Sequence, residues 1–409
     1  MRRLLKKTAG LLMCIMVSSV YAEKLSVIWE KEFAEGKNLS SVVHEAVCTS
    51  DVLQIIGYAF ESQSSNNGKF WLWQIDSAGT MVLQNTLHTV SNRPSSAIGF
   101  GSWRTKGMKI DQTSMYCVGK FGTGEPSFAH YEMNEKTFQG NPIQPNSQKT
   151  SEDIEKGYAE TVLRMVSLSD KHFLLVGSDT DSKGIVKKVD SSGGVLWHRV
   201  YDKDSISFMA DAVEVGNSLI LLECYTAADP VKNPYEGYHC RLIQCDLEGR
   251  VLSEKSFVGG GAFPNKHPEL HMVDSNSFLV GYDRYSLPNQ MGYSVAAYDH
   301  TLQPLWEKTV VDKGEPSRIP VYTHILPIPS GGFVAAYTEM AADEAGMNIQ
   351  VQRYSVAGAL TDTLLLQNYA AMDDFQLAGS DQNLFVIAST VPDNMTYRVN
   401  VKIGAIAIE

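Results

Sequence analysis

The chain has 409 residues, of which 44% are hydrophobic and 20% are charged. This composition excludes an intrinsically disordered protein, and the length suits two or three average domains or one large β domain. The net charge of −11 disfavours nucleic acid and anionic lipid as partners, because an acidic surface repels both.

Residues 1–22 have the pattern of a cleaved secretory signal peptide, with an uncleaved anchor as the alternative. An apolar run over 9–17 follows a basic head that contains Arg2, Arg3, Lys6 and Lys7. The triplet 20–22 suits cleavage before Glu23, and the apolar run is too short to span a bilayer. Cys14 follows Leu12 and Met13, which does not fit a lipidation motif. We therefore expect a secreted or periplasmic protein with no membrane span.

The rest of the chain repeats a strand pattern with a period of about 55 residues. Each unit has an apolar strand, a polar hairpin loop, a second strand that ends at Asp, a tight turn and a third strand. The turn recurs at Asp76, Asp190, Asp246, Asp299 and, with Ser in place of Asp, Ser355, and a further copy is expected near Asn134. One more strand precedes each apolar strand, as in "SSVVHEAV" and "PELHMV". The repeat therefore has four strands per unit.

Seven such units predict an all-β fold in which residues 23–409 form a single seven-bladed β-propeller. Two stacked sandwiches or an open solenoid are the alternatives. The last unit, which ends in "YRVNVKIGAIAIE", lacks its fourth strand, whereas "KLSVIWEKEF" near the amino terminus is a fourth strand without a unit. We predict that this N-terminal strand pairs into the C-terminal blade and closes the ring, because an open edge would leave backbone groups unpaired. Trp29, Trp197 and Trp306 would then pack at equivalent places between blades.

The rhythm Asp-x-x-Gly-x-x-Leu-Trp, clearest over residues 190–197, resembles the repeat of the quinoprotein-like (PQQ-like) β-propellers. Partial copies begin at Asp76, Asp246 and Asp299. Members of that superfamily include quinone-dependent redox enzymes and scaffold proteins. The quinone-using members resemble larger eight-bladed chains with a disulfide between adjacent cysteines, and this sequence has no adjacent cysteines. What the resemblance implies here is the propeller architecture.

The innermost strands of a propeller line a central channel, and ligand sites commonly lie at its mouth. Alignment of these strands on their apolar residues gives one ionisable position in every unit. We predict that it lines the channel and binds a ligand: His44, Lys106, Arg164, Asp211, His271, His324 and Asp374. The histidines could hold a metal ion, and Glu269 and Asp373 could complete an acid–base site. A polar lining that holds only water is the alternative.

Five cysteines follow the signal segment: Cys48, Cys117, Cys224, Cys240 and Cys245. Cys224 and Cys240 lie on two predicted strands joined by a long hairpin loop, so they are the candidate disulfide pair. The alternative is that all five are small buried hydrophobic residues.

These observations favour an exported propeller that acts as a binding or protein-interaction module. The alternative is an enzyme (hydrolase, lyase or oxidoreductase) with its site at the channel mouth, and a structural role in an envelope complex is the third possibility. No cofactor is predicted, although a channel-bound metal ion is possible. The partner is expected to be a protein or a small molecule, and the loop that follows Thr226, rich in Pro and Tyr, is one candidate contact.

Overall fold

The computed structural model describes the repeat region as antiparallel β-sheets joined by tight turns and loops. The described residues are 24–33, 40–49, 52–60, 68–90, 108–111, 114–120, 126–132, 161–179, 181, 183–201, 206–226, 238–257, 268–286, 290–313, 323–329, 331–340, 347–367, 369, 371–379, 382–390 and 400–408. The predicted signal segment lies outside them. No helix in the described ranges has the length and hydropathy that a membrane crossing requires.

The first three sheets follow one another in chain order. Sheet I has four strands, β2 (Ser40–Thr49), β3 (Val52–Phe60), β4 (Gly68–Asp76) and β5 (Met81–Val90). Sheet II has three described strands, β6 (Met108–Asp111), β7 (Ser114–Lys120) and β8 (Pro126–Glu132). Sheet III has four strands, β9 (Thr161–Ser167), β10 (Phe173–Ser178), β11 (Gly184–Val189) and β12 (Val195–Tyr201).

The next three sheets repeat the four-stranded plan. Sheet IV contains β13 (Ser207–Val215), β14 (Ser218–Thr226), β15 (Tyr238–Cys245) and β16 (Val251–Phe257). Sheet V contains β17 (Glu269–Asp274), β18 (Ser277–Ser286), β19 (Gln290–Asp299) and β20 (Pro304–Lys313). Sheet VI contains β21 (Thr323–Pro327), β22 (Phe333–Met340), β23 (Met347–Tyr354) and β24 (Leu360–Leu366).

Sheet VII joins the two ends of the chain. It contains β25 (Ala371–Gly379), β26 (Asn383–Thr390), β27 (Asn400–Ile408) and β1 (Leu25–Phe33). β1 pairs antiparallel with β27 from Leu25 opposite Ile408 to Phe33 opposite Val401. The predicted pairing of the N-terminal strand with the C-terminal strand is confirmed.

The predicted count of seven four-stranded blades is wrong for the described residues. Six sheets have four strands, and sheet II has three. Residues 133–160, where a fourth strand of sheet II would fall, lie outside the described residues. The repeat unit itself is confirmed, and the fold is propeller-like.

Buried apolar side chains form clusters that successive sheets share. Ile220 and Leu222 of sheet IV pack in one cluster with Phe278 and Val280 of sheet V. Equivalent clusters join sheets III and IV, V and VI, and VI and VII, and one joins sheet VII to sheet I. The first strands also lie side by side: β2 contacts β6 and β25, β9 contacts β6 and β13, and β17 and β21 continue the series to β25.

The tight turns predicted from the Asp spacing are present wherever the structure describes them. In the turn at Asp246, the side-chain oxygen Oδ1 accepts a hydrogen bond from the amide of Arg250 at 2.9 Å. The same bond forms at Asp76, Asp190 and Asp299, and the hydroxyl of Ser355 replaces it in the fifth turn. The carboxylate thus holds the chain reversal, which explains why Asp marks the repeat. The expected turn near Asn134 lies outside the described residues.

A tryptophan of each of three sheets covers the tight turn of the next sheet. The indole nitrogens of Trp29, Trp197 and Trp306 donate hydrogen bonds of 2.7, 3.1 and 2.9 Å to the carbonyls of Ser77, Leu247 and Val356. The rings lie over turn glycines with positive φ. A Cβ at Gly79 would come within 2.8 Å of Trp29, and one at Gly249 within 3.0 Å of Trp197. The three tryptophans therefore occupy equivalent places, as predicted.

Candidate functional site

The first strands of six sheets each place one polar side chain at the same structural position. This inner polar set consists of Glu45, Arg164, Asp211, Glu269, His324 and Gln376. Equivalence follows from strand pairing, because each member lies opposite the same position of the second strand: Ile56, Val176, Leu222, Gly281, Ala336 and Ile387. All six residues are at least nine-tenths buried. The corresponding position of sheet II lies outside the described residues.

The centre of the set is an ion-pair network on four adjacent first strands. Arg164 Nη1 donates to Asp211 Oδ2 at 2.7 Å, and Arg164 Nη2 lies 3.7 Å from Glu269 Oε2. Burial alone would lower the pKa of Arg164, but the negative charges of Asp211, Glu269 and Glu45 raise it above its ordinary value. Arg164 therefore stays charged, and it joins sheet III to residues of sheets IV and V.

The two carboxylates at the centre also hold the backbone of the neighbouring sheet. Asp211 Oδ2 accepts a hydrogen bond of 2.8 Å from the amide of Leu270, and Glu269 Oε1 accepts one of 2.8 Å from the amide of Ile325. First strands are sheet edges, so these amides would otherwise lack a ladder partner. The same side chains thus serve both the polar centre and the joint between sheets.

Glu269 lies between two histidines. His324 Nδ1 is 3.2 Å from Glu269 Oε2, and His271 Nε2 is 3.4 Å from the same oxygen. The hydroxyl of Tyr293 donates to Glu269 Oε1 at 3.2 Å. Burial alone would raise the pKa of Glu269, but the positive charge of His324 and hydrogen bonds from His271 and His324 hold it well below the ordinary value. Glu269 is therefore an ionised carboxylate at neutral pH.

Access to this centre is uneven. The side chain of His324 is 4% exposed and contacts the ring of Phe375 edge-on, with centroids 4.9 Å apart. The side chain of His271 is 21% exposed, so it forms the accessible side of the pair. Among the described residues, Arg164 Nε and Arg164 Nη2 have no hydrogen-bond partner. The centre therefore contains two buried N–H groups of Arg164 whose hydrogen-bonding capacity the described residues do not use.

Only some of the seven predicted channel residues belong to the inner polar set. Arg164, Asp211 and His324 lie in the inner polar set. His271 lies two residues beyond Glu269, and His44 and Asp374 precede Glu45 and Gln376 by one and two residues. The structure describes only the backbone of His44, Asp373 and Asp374, and Lys106 lies outside the described residues. Ligand binding by the seven residues remains a prediction.

The displacement has a physical cause. Several first strands carry a β-bulge beside the set, such as the one between Val43 and Glu45 and the one between Met209 and Asp211. A bulge adds one residue to one strand only, so an alignment without gaps loses register at that point. Glu45 and Gln376 were missed for this reason, and Glu269 was identified only as a nearby acid.

The possible metal ion finds no support in the described part of the chain. No group of three or more His, Cys, Asp or Glu side chains there has the geometry to hold one. Glu269 instead directs one oxygen, Oε2, at both imidazoles and at Arg164.

A second surface lies on the outer strands. In six sheets the fourth strand has a bulge near its start. In five of them the bulged residue is apolar and exposed: Ile28, Val82, Leu196, Leu252 and Leu305. These side chains are 47–58% exposed. A repeated apolar residue on an outer edge is unlike the singly scattered exposed residues of ordinary surfaces.

Comparison with known proteins gives a fold without a family. No protein-family model matches the chain, and no curated protein does. A puromycin hydrolase structure matches with 12% identity and a TM-score of 0.50, over 87% of this chain and 50% of that chain. An acylaminoacyl peptidase in complex with Z-Gly-Gly-Phe-chloromethyl ketone matches with 10% identity and a TM-score of 0.51, over 90% and 52%. The acylaminoacyl peptidase of Pyrococcus horikoshii matches with 10% identity and a TM-score of 0.49, over 88% and 50%. The chain spans about half the length of each structure. At such low identity, the puromycin hydrolase and the inhibitor-bound acylaminoacyl peptidase show a propeller-like fold alone.

The depressed pKa of Glu269 predicts an acid-sensitive contribution to stability. A carboxylate with a folded-state pKa below its unfolded value of about 4.3 stabilises the fold above that value. The contribution disappears as the pH falls from there through the folded-state pKa. Urea unfolding at pH 6, 4 and 3 should show a weaker loss of stability on acidification in Glu269→Gln than in wild type.

Asp170 provides the matched control for this experiment. Its pKa is lowered to about 2: partial burial opposes the shift, but hydrogen bonds from Lys188 and His172 outweigh it. The side chain of Asp170 is 40% exposed and lies outside the inner polar set. Asp170→Asn should therefore keep the part of the pH dependence that Glu269 supplies. An equal acid response in Glu269→Gln and wild type would contradict the prediction.

Proposed function

We propose that the chain is an exported β-propeller that acts as a binding module, with a site for a small polar ligand at the inner polar set. The observation that carries the proposal is the buried network itself. Six first strands bring ionisable or amide side chains to one structural position, and Arg164 keeps two N–H groups without a hydrogen-bond partner among the described residues. Burying so many polar groups costs free energy, which favours a function for them.

The ligand class follows from the free groups. Arg164 can only donate hydrogen bonds, and its Nε and Nη2 point to an acceptor such as a carboxylate or a carbonyl oxygen. Glu269 and Asp211 lie close by, so the ligand also needs a donor or a positive charge to offset their negative charge. A zwitterionic or polyhydroxylated small molecule combines both properties. The arrangement of the sheets around a central axis is part of this proposal, and the sequential contacts of the first strands support it.

An enzyme with a general acid–base site is the second candidate. It is favoured by the contacts of His271 and His324 with the ionised Glu269, since a carboxylate that orients an imidazole is a common acid–base arrangement. Hydrolysis of ester and aminoacyl reporter substrates by wild type, and its loss in His271→Ala, would favour this candidate over simple binding. The exposed apolar residues of the outer strands favour a protein partner in addition to either function.

A thermal-shift screen tests the binding proposal. Amino acids, small carboxylates, sugars, amines and divalent metal ions are added to the purified chain, and His271→Ala is compared with His300→Ala. His300 lies exposed in the turn after β19, so its substitution removes an imidazole without touching the site. We expect a zwitterion or a sugar to raise Tm by about 2 °C or more at saturating concentration, because a ligand that binds only the folded state stabilises it.

The expected shift disappears in His271→Ala and persists in His300→Ala. If no compound of any class raises the Tm of the wild type, or if His271→Ala responds as the wild type does, the inner polar set is a structural joint and the binding proposal is wrong.

A further inference from the structure

Two buried cysteines face each other across a hairpin of sheet IV. Cys224 on β14 lies directly opposite Cys240 on β15, and their sulfur atoms are 3.6 Å apart. Both side chains are almost fully buried, with exposures of 1% and 0%. The two sulfur atoms are not bonded to each other in the structure.

The backbone between them already has the geometry of a disulfide. Opposed residues of an antiparallel pair have Cα atoms about 4.5–5.5 Å apart. Disulfide-bonded residues have Cα atoms about 4.4–6.8 Å apart, so the strands need not move. Rotation of the two side chains is enough to bring sulfurs in contact to bonding distance.

The other two cysteines with described side chains lie elsewhere in the fold. Cys245 lies in the same sheet, but its sulfur contacts the hydroxyl of Tyr201 at 3.5 Å. Cys48 lies on β2 of sheet I, in a different cluster. The register of β14 and β15 therefore selects one pair.

We propose that Cys224 and Cys240 are a disulfide site, oxidised while the chain folds in the presence of a disulfide-bearing oxidant. The thiolate of one cysteine attacks the oxidant and releases one of its sulfurs as a thiol. The thiolate of the second cysteine then attacks the mixed disulfide and releases the other sulfur. The chain loses two protons and two electrons, and the disulfide of the oxidant is reduced to two thiols.

Burial fixes when the step takes place. In the folded sheet an oxidant has no path to sulfurs that are 1% exposed or less, so the exchange belongs to folding, before β14 and β15 are covered. The bond links β14 to β15, the strands on either side of residues 227–237, which are the segment suggested above as a partner contact. It also lowers the conformational entropy of the unfolded chain, which stabilises the oxidised fold relative to the unfolded state.

Refolding of the full chain in a glutathione buffer tests the site. The reduced chain is denatured, refolded with reduced and oxidised glutathione, alkylated with N-ethylmaleimide under denaturing conditions and mapped with protease without reduction. We expect one linked peptide containing Cys224 and Cys240, about 2 Da lighter than the two reduced peptides together. The Tm of the oxidised form should exceed that of the reduced form by about 4 °C.

Cys245→Ala is the matched control, because it removes a thiol of equal burial from the same sheet. It should keep both the linked peptide and the reduction-dependent Tm difference, whereas Cys224→Ala and Cys240→Ala should lose both. Alkylation of Cys224 and Cys240 in the refolded wild type would overturn the proposal. A linked peptide that joins either of them to another cysteine would overturn it as well.

Discussion

Deleting residues 24–33 should abolish cooperative folding of the chain, and a synthetic peptide of the same sequence should restore it. Without β1, strand β27 keeps β26 on one side but loses its hydrogen-bond partner on the other side and becomes an open edge. Leu25 leaves the core cluster of sheets VI and VII, and Trp29 and Phe33 leave the cluster of sheets VII and I. The loss therefore affects two joints between sheets.

Urea titration followed by circular dichroism measures the effect. The deletion variant should lack a folded baseline, and added peptide should bring back a cooperative transition by strand addition. A control peptide with Trp29→Ala should restore less, because the indole hydrogen bond to Ser77 and the contact with Gly79 are absent. A deletion variant that unfolds at the wild-type urea concentration would show that β1 is not needed to close sheet VII.

Single substitutions give the same test in a chain that still folds. Trp29→Ala, Trp197→Ala and Trp306→Ala should each lower the free energy of unfolding by about 2 kcal/mol, since each removes a partly buried ring and one hydrogen bond. Equal losses are expected because the three rings cover equivalent turns. If only Trp197→Ala and Trp306→Ala lower the free energy of unfolding, then β1 does not have the same structural role as the other fourth strands.

The sequence allowed the repeat and the pairing of β1 with β27 to be predicted, because short local patterns mark both. Asp at a turn accepts amide hydrogen bonds from the next few residues, so its spacing records the repeat. The Trp-x-Lys/Arg pattern records a contact with the next sheet: Lys31 Nζ donates to the carbonyl of Gly79 at 2.8 Å, and Arg199 packs over Gly249. Where β16 has Ser253 in place of tryptophan, the next turn has Leu302 with a φ of 64° in place of glycine. The tryptophan of the fourth strand and the glycine of the turn that it would cover are therefore absent together.

The membership of the site depended on register, which the sequence does not mark. A bulge places no fixed demand on residue type, and a shift of one residue turns a side chain to the other face of the sheet. His44 and Glu45 are both ionisable, so composition could not decide between them. The separation between Arg164 and Glu269, which are on different sheets, depends on the stacking of the sheets and has no local signal in the sequence.

Arg164→Gln should lower the free energy of unfolding by about 3–5 kcal/mol, the largest effect expected of a single substitution in the inner polar set. The guanidinium lies 2.7 Å from Asp211 and 3.7 Å from Glu269, and its removal leaves two buried carboxylates with like charge and no cation between them. Charge balance predicts partial rescue by a second change. Asp211→Asn in the same chain removes one of the unpaired charges and keeps an oxygen that can accept the Leu270 amide, so the double variant should be more stable than Arg164→Gln alone.

Urea unfolding of the wild type, the two single variants and the double variant gives the coupling energy of the pair. Arg250→Gln is the matched control, because Arg250 also pairs with a carboxylate, that of Asp246 at 2.6 Å, but its side chain is 70% exposed. Water screens such a pair, so this substitution should change stability far less than Arg164→Gln. If both arginine variants lose equal stability, or if Asp211→Asn adds its full cost to that of Arg164→Gln, then Arg164 does not hold the first strands together through charge. Its loss would then be one of packing, and the central position would tolerate an uncharged side chain of similar volume.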